Sequence, residues 1–485
     1  KRLSIIDLSD AGVQPMFSRD KRYVISYNGE IYNFLELRKE LEKDGFVFNS
    51  KTDTEVVLNS FIKWGYESLT RFNGMYAFAI WDRKEKELFI ARDRYGIKPI
   101  YYSGQGSKFI FGSEQRVIAS SSGFIRKVNK KALLEYFTFQ NIFTDQTLLE
   151  DISILPAGYY GILNYDKGKK NTKLKIYNYW DYKFSNPKNS VNRNEYTEEL
   201  NRLFIQAVER QLVSDVELGS YLSGGIDSGS IVALASKKFS YLKTFTCGFD
   251  LNSASGIELG FDERLKAEHM SALYKTEHYE MVLKAGDMER CLSSLSNHLE
   301  EPRVGQSYPN YYAAKLARKF VKVVLSGCGG DELFGGYPWR YYRAVNSQSF
   351  EDFVNNYYTY WQRLVNRSQI KKFFHPVWKD VREVSTKAIF KNVFYKHENE
   401  LNKPEDFINH SLYFEAKTFL HGLFVVEDKL SMAHGLETRV PFMDNDLVEF
   451  AMNCPVEFKL NNLQNVIRFN ENKTGKKKEA YFQKT

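Results

Sequence analysis

Two short stretches of this chain carry the residue types that phosphate chemistry needs. The first is Leu222-Ser223-Gly224-Gly225-Ile226-Asp227-Ser228, which closes the apolar run 218–222 and leads into a helical pattern at 228–238. A strand that ends in a glycine-rich turn and passes into a helix aims backbone N–H groups and the positive end of the helix dipole at one spot. Gly224 and Gly225 let anion oxygens reach the backbone, and Ser223 and Ser228 add hydroxyl donors. Asp227 would repel a bare phosphate, so its presence calls for a Mg²⁺ ion between carboxylate and phosphates. A tight turn with an ordinary helix cap would need fewer of these groups. The second stretch, Ser326-Gly327-Cys328-Gly329-Gly330-Asp331-Glu332, follows a strand-like run at 322–325. Asp331 and Glu332 offer further carboxylates, Asp331 as a second metal ligand, while Ser326 and Gly327 can meet a nucleotide through their backbone. Cys247, at the end of an expected strand at 244–248, is a candidate for adenine contact, and a core strand end explains it equally well.

The elements around these stretches must bring them together. From 195 onward strands at 218–222, 244–248 and 322–325 alternate with helices at 195–212, 228–238, 262–274 and 308–320, the pattern of a parallel, doubly wound sheet. In such sheets ligands bind beyond the carboxyl ends of the strands, where both glycine-rich stretches would lie. The first ~115 residues differ: short strands at 23–26, 75–81, 87–91, 100–103 and 109–112 are interrupted by helices at 34–43 and 54–64, an α+β layered domain. Residues 164–193, rich in Lys, Asn and Ser, read as a linker with one strand at 174–179. Beyond 335 the chain is helical and aromatic, which core packing explains. The expected organisation is a first domain at 1–163, a linker at 164–194 and a second domain at 195–485.

Composition excludes several classes. With 485 residues, 43% hydrophobic and 26% charged, the chain is no disordered, collagen-like or low-complexity polypeptide. No run reaches the ~18 apolar residues of a membrane span, and the start is no signal peptide, so a soluble protein without a membrane partner is expected. The net charge of +8 is dispersed, and its densest cluster, 476–478, serves as a solvated loop as readily as a partner site, so no nucleic-acid partner is expected. Four cysteines without CxxC or Cys/His spacing speak against disulfides and structural zinc and suit a reducing cytoplasm.

The 223–228 stretch lacks the terminal Gly-Lys-Ser/Thr of a Walker loop and resembles the SGGxDS loop of the ATP pyrophosphatase (PP-loop) family, which cleaves ATP between its α- and β-phosphates. Together with 326–336 and Ser431-Met-Ala-His-Gly-Leu-Glu437-Thr-Arg439-Val-Pro441-Phe-Met-Asp444, it resembles the synthetase domain of glutamine-hydrolysing asparagine synthetases. Arg2-Leu-Ser-Ile-Ile-Asp7, Tyr27-Asn28-Gly29-Glu30-Ile-Tyr-Asn33, Thr52-Asp53-Thr54-Glu55 and Arg92-Asp-Arg94-Tyr-Gly96-Ile-Lys98-Pro99 are similar to the class II glutamine amidotransferase domain. The resemblance implies an N-terminal-nucleophile αββα sandwich followed by an adenine nucleotide α-hydrolase-like domain. It implies adenylation of aspartate by ATP and Mg²⁺, then displacement of AMP by ammonia drawn from glutamine. Arg2 and Asp53 would hold the glutamine α-carboxylate and α-amino group, Asn28 and Gly29 would form an oxyanion hole, and Glu30 would belong to the same pocket. A homodimer is compatible with this family.

Three departures stand out. Class II amidotransferases attack glutamine with an N-terminal Cys, and no Cys lies near residue 1, so the family start is expected to be missing and glutamine hydrolysis with it. The chain stops before the family's Lys-bearing basic stretch. Cys328 stands where many members carry Glu. Rival readings are a cousin amidating another carboxylate (in surface-sugar or natural-product synthesis) or a PP-loop enzyme of nucleic-acid modification. The second would call for a basic or zinc-bearing RNA module, which the sequence lacks. A non-catalytic binding protein would be expected to have lost Asp227 or Asp331.

Overall fold

The computed structural model describes residues 3–460 apart from 106–107, 166–173, 188–191, 254–261, 305–306, 342–344, 346, 398–400 and 402. Arg2 and the basic cluster at 476–478 lie outside the described residues. Among the described residues nine strands build the first unit: β1 (Met16–Phe17), β2 (Tyr23–Ile31), β3 (Gly74–Asp82), β4 (Glu87–Arg92), β5 (Tyr101–Gln105), β6 (Lys108–Gly112), β7 (Ser153–Ile154), β8 (Tyr159–Asn164) and β9 (Lys175–Asn178). They form an antiparallel six-stranded sheet in the order β1-β2-β3-β4-β8-β9 and a three-stranded sheet in the order β6-β5-β7.

Alternation along β3 explains the layering. Tyr76, Phe78 and Ile80 face the large core that also holds Phe34, Leu37 and Val57 of helices Phe34–Lys43 and Asp53–Trp64. The intervening Ala77 and Ala79 face Ile100, Leu155 and the second sheet. Successive strand residues point to opposite faces, so large residues meet helices and small ones admit a sheet. Glycines let β2 and β3 approach at one end. A Cβ on Gly74 would lie 2.1 Å from the Glu30 carbonyl oxygen, and one on Gly29 2.1 Å from that of Met75.

The stretch expected as a linker is partly built into this sheet. β9 pairs antiparallel with β8, and Tyr177 stacks on Tyr160 with ring centroids 5.3 Å apart. Cross-strand aromatic pairs of this kind help hold a short, exposed strand. Further on, Trp180 and Tyr182 pack on Tyr95.

The second unit carries five parallel strands, β10 (Leu218–Tyr221), β11 (Lys243–Phe249), β12 (Glu277–Leu283), β13 (Val323–Leu325) and β14 (Glu437–Arg439), in the order β12-β11-β10-β13-β14. β12 and β14 give little apolar signal, the first being mostly half-exposed and the second only three polar residues long. Helices between the strands cover the sheet, and one hydrophobic core runs through both units, from Ile25 and Tyr95 to Ile231 and Leu447. No described helix is long and apolar enough to cross a membrane.

Candidate active site

The first glycine-rich stretch leaves β10, the middle strand of the parallel sheet. Its helix starts earlier than the sequence suggests: helix Ile226–Ala235 has Gly225 as its N-cap residue, so Ile226 and Asp227 occupy the first turn rather than preceding it. Side chains in the turn itself supply the reason. The Ser223 backbone N–H donates to Ser228 Oγ at 3.0 Å, the two hydroxyls lie 2.9 Å apart, and the Gly225 N–H donates to Ser223 Oγ at 3.2 Å. These bonds fold the loop back onto the helix start. Gly224 takes φ +75°, and a Cβ there would sit 2.3 Å from that of Lys266, so the turn requires glycine on two counts.

The second stretch leaves β13, the neighbour of β10, and crosses the first. A Cβ on Gly327 would lie 2.9 Å from Asp227 Cβ, and one on Gly330 2.4 Å from Asp227 Oδ2. The Asp227 carboxyl accepts the backbone N–H of Asp331. Leu222, Ser223, Asp227, Ser228, Cys247, Ser326, Gly327, Asp331 and Glu332 all line one cavity of about 590 Å³, a volume within the usual range for small-molecule sites. Gly224 and Gly225, in the same loop, are not among its lining residues. The sequence-expected nucleotide residues are therefore brought together, Cys247 included.

Electrostatics mark the crossing point. Burial, and next the Asp331 charge, push the Asp227 carboxyl up to about 7. Burial and the same neighbour push Glu332 up to about 8, and the Tyr337 hydroxyl donates to Glu332 Oε1 at 3.4 Å. Two carboxyl groups crowded in this way are a donor set that suits a divalent cation, since Mg²⁺ is commonly held by one or two carboxylates together with substrate phosphates. Among the described residues no cluster of three or more His, Cys, Asp or Glu side chains is gathered as an all-protein metal cage.

A further part of the cavity lining comes from a helix of which the sequence marked only Ser431. Leu423, Val426, Glu427, Leu430 and Ser431 of helix His421–Met432 line it. Glu427 takes hydrogen bonds from the side chains of Ser326 and Cys328. A single carboxylate at helical spacing within an apolar stripe is the sequence signal that could have found it.

The glutamine-pocket residues expected from the sequence occupy the first unit. Asn28, Gly29 and Glu30 lie on β2. Asp53, at the start of its helix, accepts the Tyr27 hydroxyl at 2.6 Å and the Ile31 N–H at 3.0 Å on one oxygen. The Thr52 hydroxyl meets its other oxygen at 3.3 Å. Glu30 is buried, and burial, Asp53 and Glu437 raise its carboxyl well above the ordinary value. Its Oε2 lies 3.8 Å from the Arg439 guanidinium, and the Arg439 carbonyl accepts the Ser326 N–H at 2.8 Å. One residue of β14 thus touches both the β2 cluster and the second glycine-rich loop.

The sequence profile described as asparagine synthase matches residues 199–478, and that described as glutamine amidotransferase domain matches residues 1–180. The chain is 32% identical over 95% of its length, and 74% of the relative's, to "Asparagine synthetase [glutamine-hydrolyzing] 3" of Bacillus subtilis. It is 31% identical, with the same two coverages, to "Asparagine synthetase [glutamine-hydrolyzing] 1" of that organism. The chain belongs to the asparagine synthetase family. "Putative asparagine synthetase [glutamine-hydrolyzing] 2" of Methanocaldococcus jannaschii is 36% identical over 69% of this chain and 66% of its own length. The family of glutamine-hydrolysing, ATP-dependent ligases accounts for the two-part layout, with an amidotransferase unit first and a synthetase unit second.

Proposed function

We propose that this protein converts aspartate to asparagine, using ATP and glutamine-derived ammonia and releasing AMP and pyrophosphate. The observation that carries the reading is the crossing of the two glycine-rich loops, which sets Asp227 against the Asp331 loop on the wall of one cavity. In this reading 1–163 is the amidotransferase domain with its αββα sandwich, 164–194 the connection, and 195–485 the PP-loop synthetase domain.

A carboxylate is a poor electrophile, so one of its oxygens must first attack the α-phosphorus of ATP to form β-aspartyl-AMP, with pyrophosphate as leaving group. The 223–228 turn would exchange its internal bonds, those of the Ser223 and Gly225 N–H groups and of the two serine hydroxyls, for bonds to the phosphate oxygens at the helix N-terminus. Asp227 and Asp331 would hold Mg²⁺, which offsets the phosphates' negative charge as pyrophosphate departs. Ser326 and Gly327 hold the adenylate end through their backbone, with Cys247 beside the base. Glu332, pushed up to about 8 by burial and the Asp331 charge, stands beside them, bonded by the Tyr337 hydroxyl. In the first unit Arg2 and Asp53 would bind the glutamine backbone groups, with Asn28 and Gly29 as oxyanion donors and Glu30 behind them. The four free cysteines suit a reducing cytoplasm.

A panel of carboxylates, ATP, Mg²⁺ and ammonium, analysed for amide products by mass spectrometry, tests the substrate. Asparagine is expected from aspartate; an amide from another acid and none from aspartate would replace aspartate by that acid.

A further inference from the structure

Amide formation needs a base. When ammonia's lone pair attacks the acyl carbon, a C–N bond forms and the C–O bond to AMP breaks, its electron pair leaving with the phosphate. The nitrogen then carries one proton too many for a neutral amide. Five carboxyl groups line the cavity: Asp227, Glu263, Asp331, Glu332 and Glu427. Asp227 and Asp331 belong to the loop crossing. Glu332 sits in the same turn, bonded to Tyr337, and Glu263 meets Ser223 on the phosphate side. Glu427 comes from the opposite wall.

Resting on the acyl-transfer reading above, we infer that Glu427 accepts the proton released as ammonia attacks the activated carboxylate. Three consecutive residues of its helix point three ways. Asp428 pairs with Lys98 of the first unit at 2.9 Å, both side chains being buried, Lys429 pairs with Glu300, and Glu427 faces the cavity. Its carboxyl group thus lines the cavity beside the second glycine-rich loop and within reach of the charge of Lys98, a residue of the first unit. The Ser326 hydroxyl and the Cys328 thiol hydrogen-bond to it and orient it. Burial pushes it up to about 7, Asp428 pushes the same way and Lys98 opposes; Tyr221 also faces it. A base near the working pH is the effective kind. The Cys328 thiol is held well above its usual range, chiefly by burial and then by Glu427, so it stays neutral and donates.

The test uses the whole chain with ammonium chloride as nitrogen source, and reads amide formed per pyrophosphate released. Glu427→Gln is expected to lower this ratio about 100-fold, the scale of a lost general base, and Glu427→Asp to lower it less. Because Cys328 touches the Glu427 carboxyl, adding Cys328→Glu to Glu427→Gln returns a carboxylate to the same spot and is expected to restore most of the ratio. A wild-type ratio in Glu427→Gln overturns the inference. So does loss of pyrophosphate release together with amide that Cys328→Glu does not repair, which marks a structural role. Absence of pyrophosphate release from the unmutated protein with every carboxylate would instead overturn the proposed reaction.

Discussion

Asp227 and its glycine neighbours form a unit in which each residue type has a steric or electrostatic reason. Asp227 is packed between Gly327 and Gly330: a Cβ on the first would press on its Cβ and backbone, and one on the second on its carboxylate. Removing the charge should abolish chemistry before binding: Asp227→Ala is expected to cost at least about 100-fold in pyrophosphate release, as for other losses of electrostatic stabilisation at a reacting centre. Retained release would remove Asp227 from the metal site. Gly330→Ala tests the cradle rather than the charge. Its methyl would lie 2.4 Å from Oδ2, so the carboxylate must turn away, and pyrophosphate release should fall while the thermal midpoint changes little. An unaffected rate would show that the Asp227 position is not critical.

At the scale of elements, the β2–β3 pair positions the Asn28–Glu30 segment and tolerates no side chain at its end. Gly74→Ala would put a methyl 2.1 Å from the Glu30 carbonyl, against backbone that cannot swing aside. A destabilisation of about 1–3 kcal/mol, typical of overpacking, is expected in urea unfolding, and an unchanged midpoint would contradict the close approach. Helix Asp53–Trp64 depends on Thr52, whose side chain accepts the Thr54 N–H. The helix in turn carries Asp53 to the Tyr27 hydroxyl and Ile31 N–H, so cap, helix and pocket stand or fall together.

For the molecule as a whole, buried polar pairs stud the join between units, which also shares one hydrophobic core. Lys98 bonds Asp428 at 2.9 Å, Asn73 bonds Asp444 at 2.8 Å, and the Tyr95 hydroxyl bonds Asn445 at 2.9 Å. Breaking a buried ion pair strands a charge: Lys98→Met should destabilise by about 3–5 kcal/mol, and Lys98→Met with Asp428→Leu by much less. Equal losses in the single and double variants would show that the pair's charges do not set the cost. His421 tests the same region by pH. Burial, and then Arg92 and Arg303, hold its imidazole well below the usual pKa, so the folded protein keeps it neutral. The unfolded chain takes up that proton as pH falls through about 6.5, and its share of stability, present above that value, is lost below it. His421→Gln should therefore lose less stability than wild type between pH 7.5 and 5.5. Parallel loss in urea titrations at the two pH values would exclude His421 as the source.

The nucleotide loops were legible in the sequence because their chemistry is local. Strand, glycines, hydroxyls and carboxylate follow one another within a few residues, and the alternation of strands and helices announced the parallel sheet. The hairpin β3–β4 and helix Phe34–Lys43 were legible for the same reason, since a period of 2 or 3.6 needs no distant partner. Three things required the tertiary structure. β14 is strand only because β13 offers it a parallel partner, and the strand expected at 174–179 joins the first sheet only because β8 pairs with it. The helix start at Ile226 was hidden because hydrogen bonds within the loop, rather than apolar periodicity, determine it. Glu427 lies about a hundred residues beyond Ser326 and Cys328 along the chain, and only packing of its helix across the cavity makes them neighbours. The residue types that suit phosphate were written locally; which carboxylate a distant helix turns into the cavity depended on how remote elements pack.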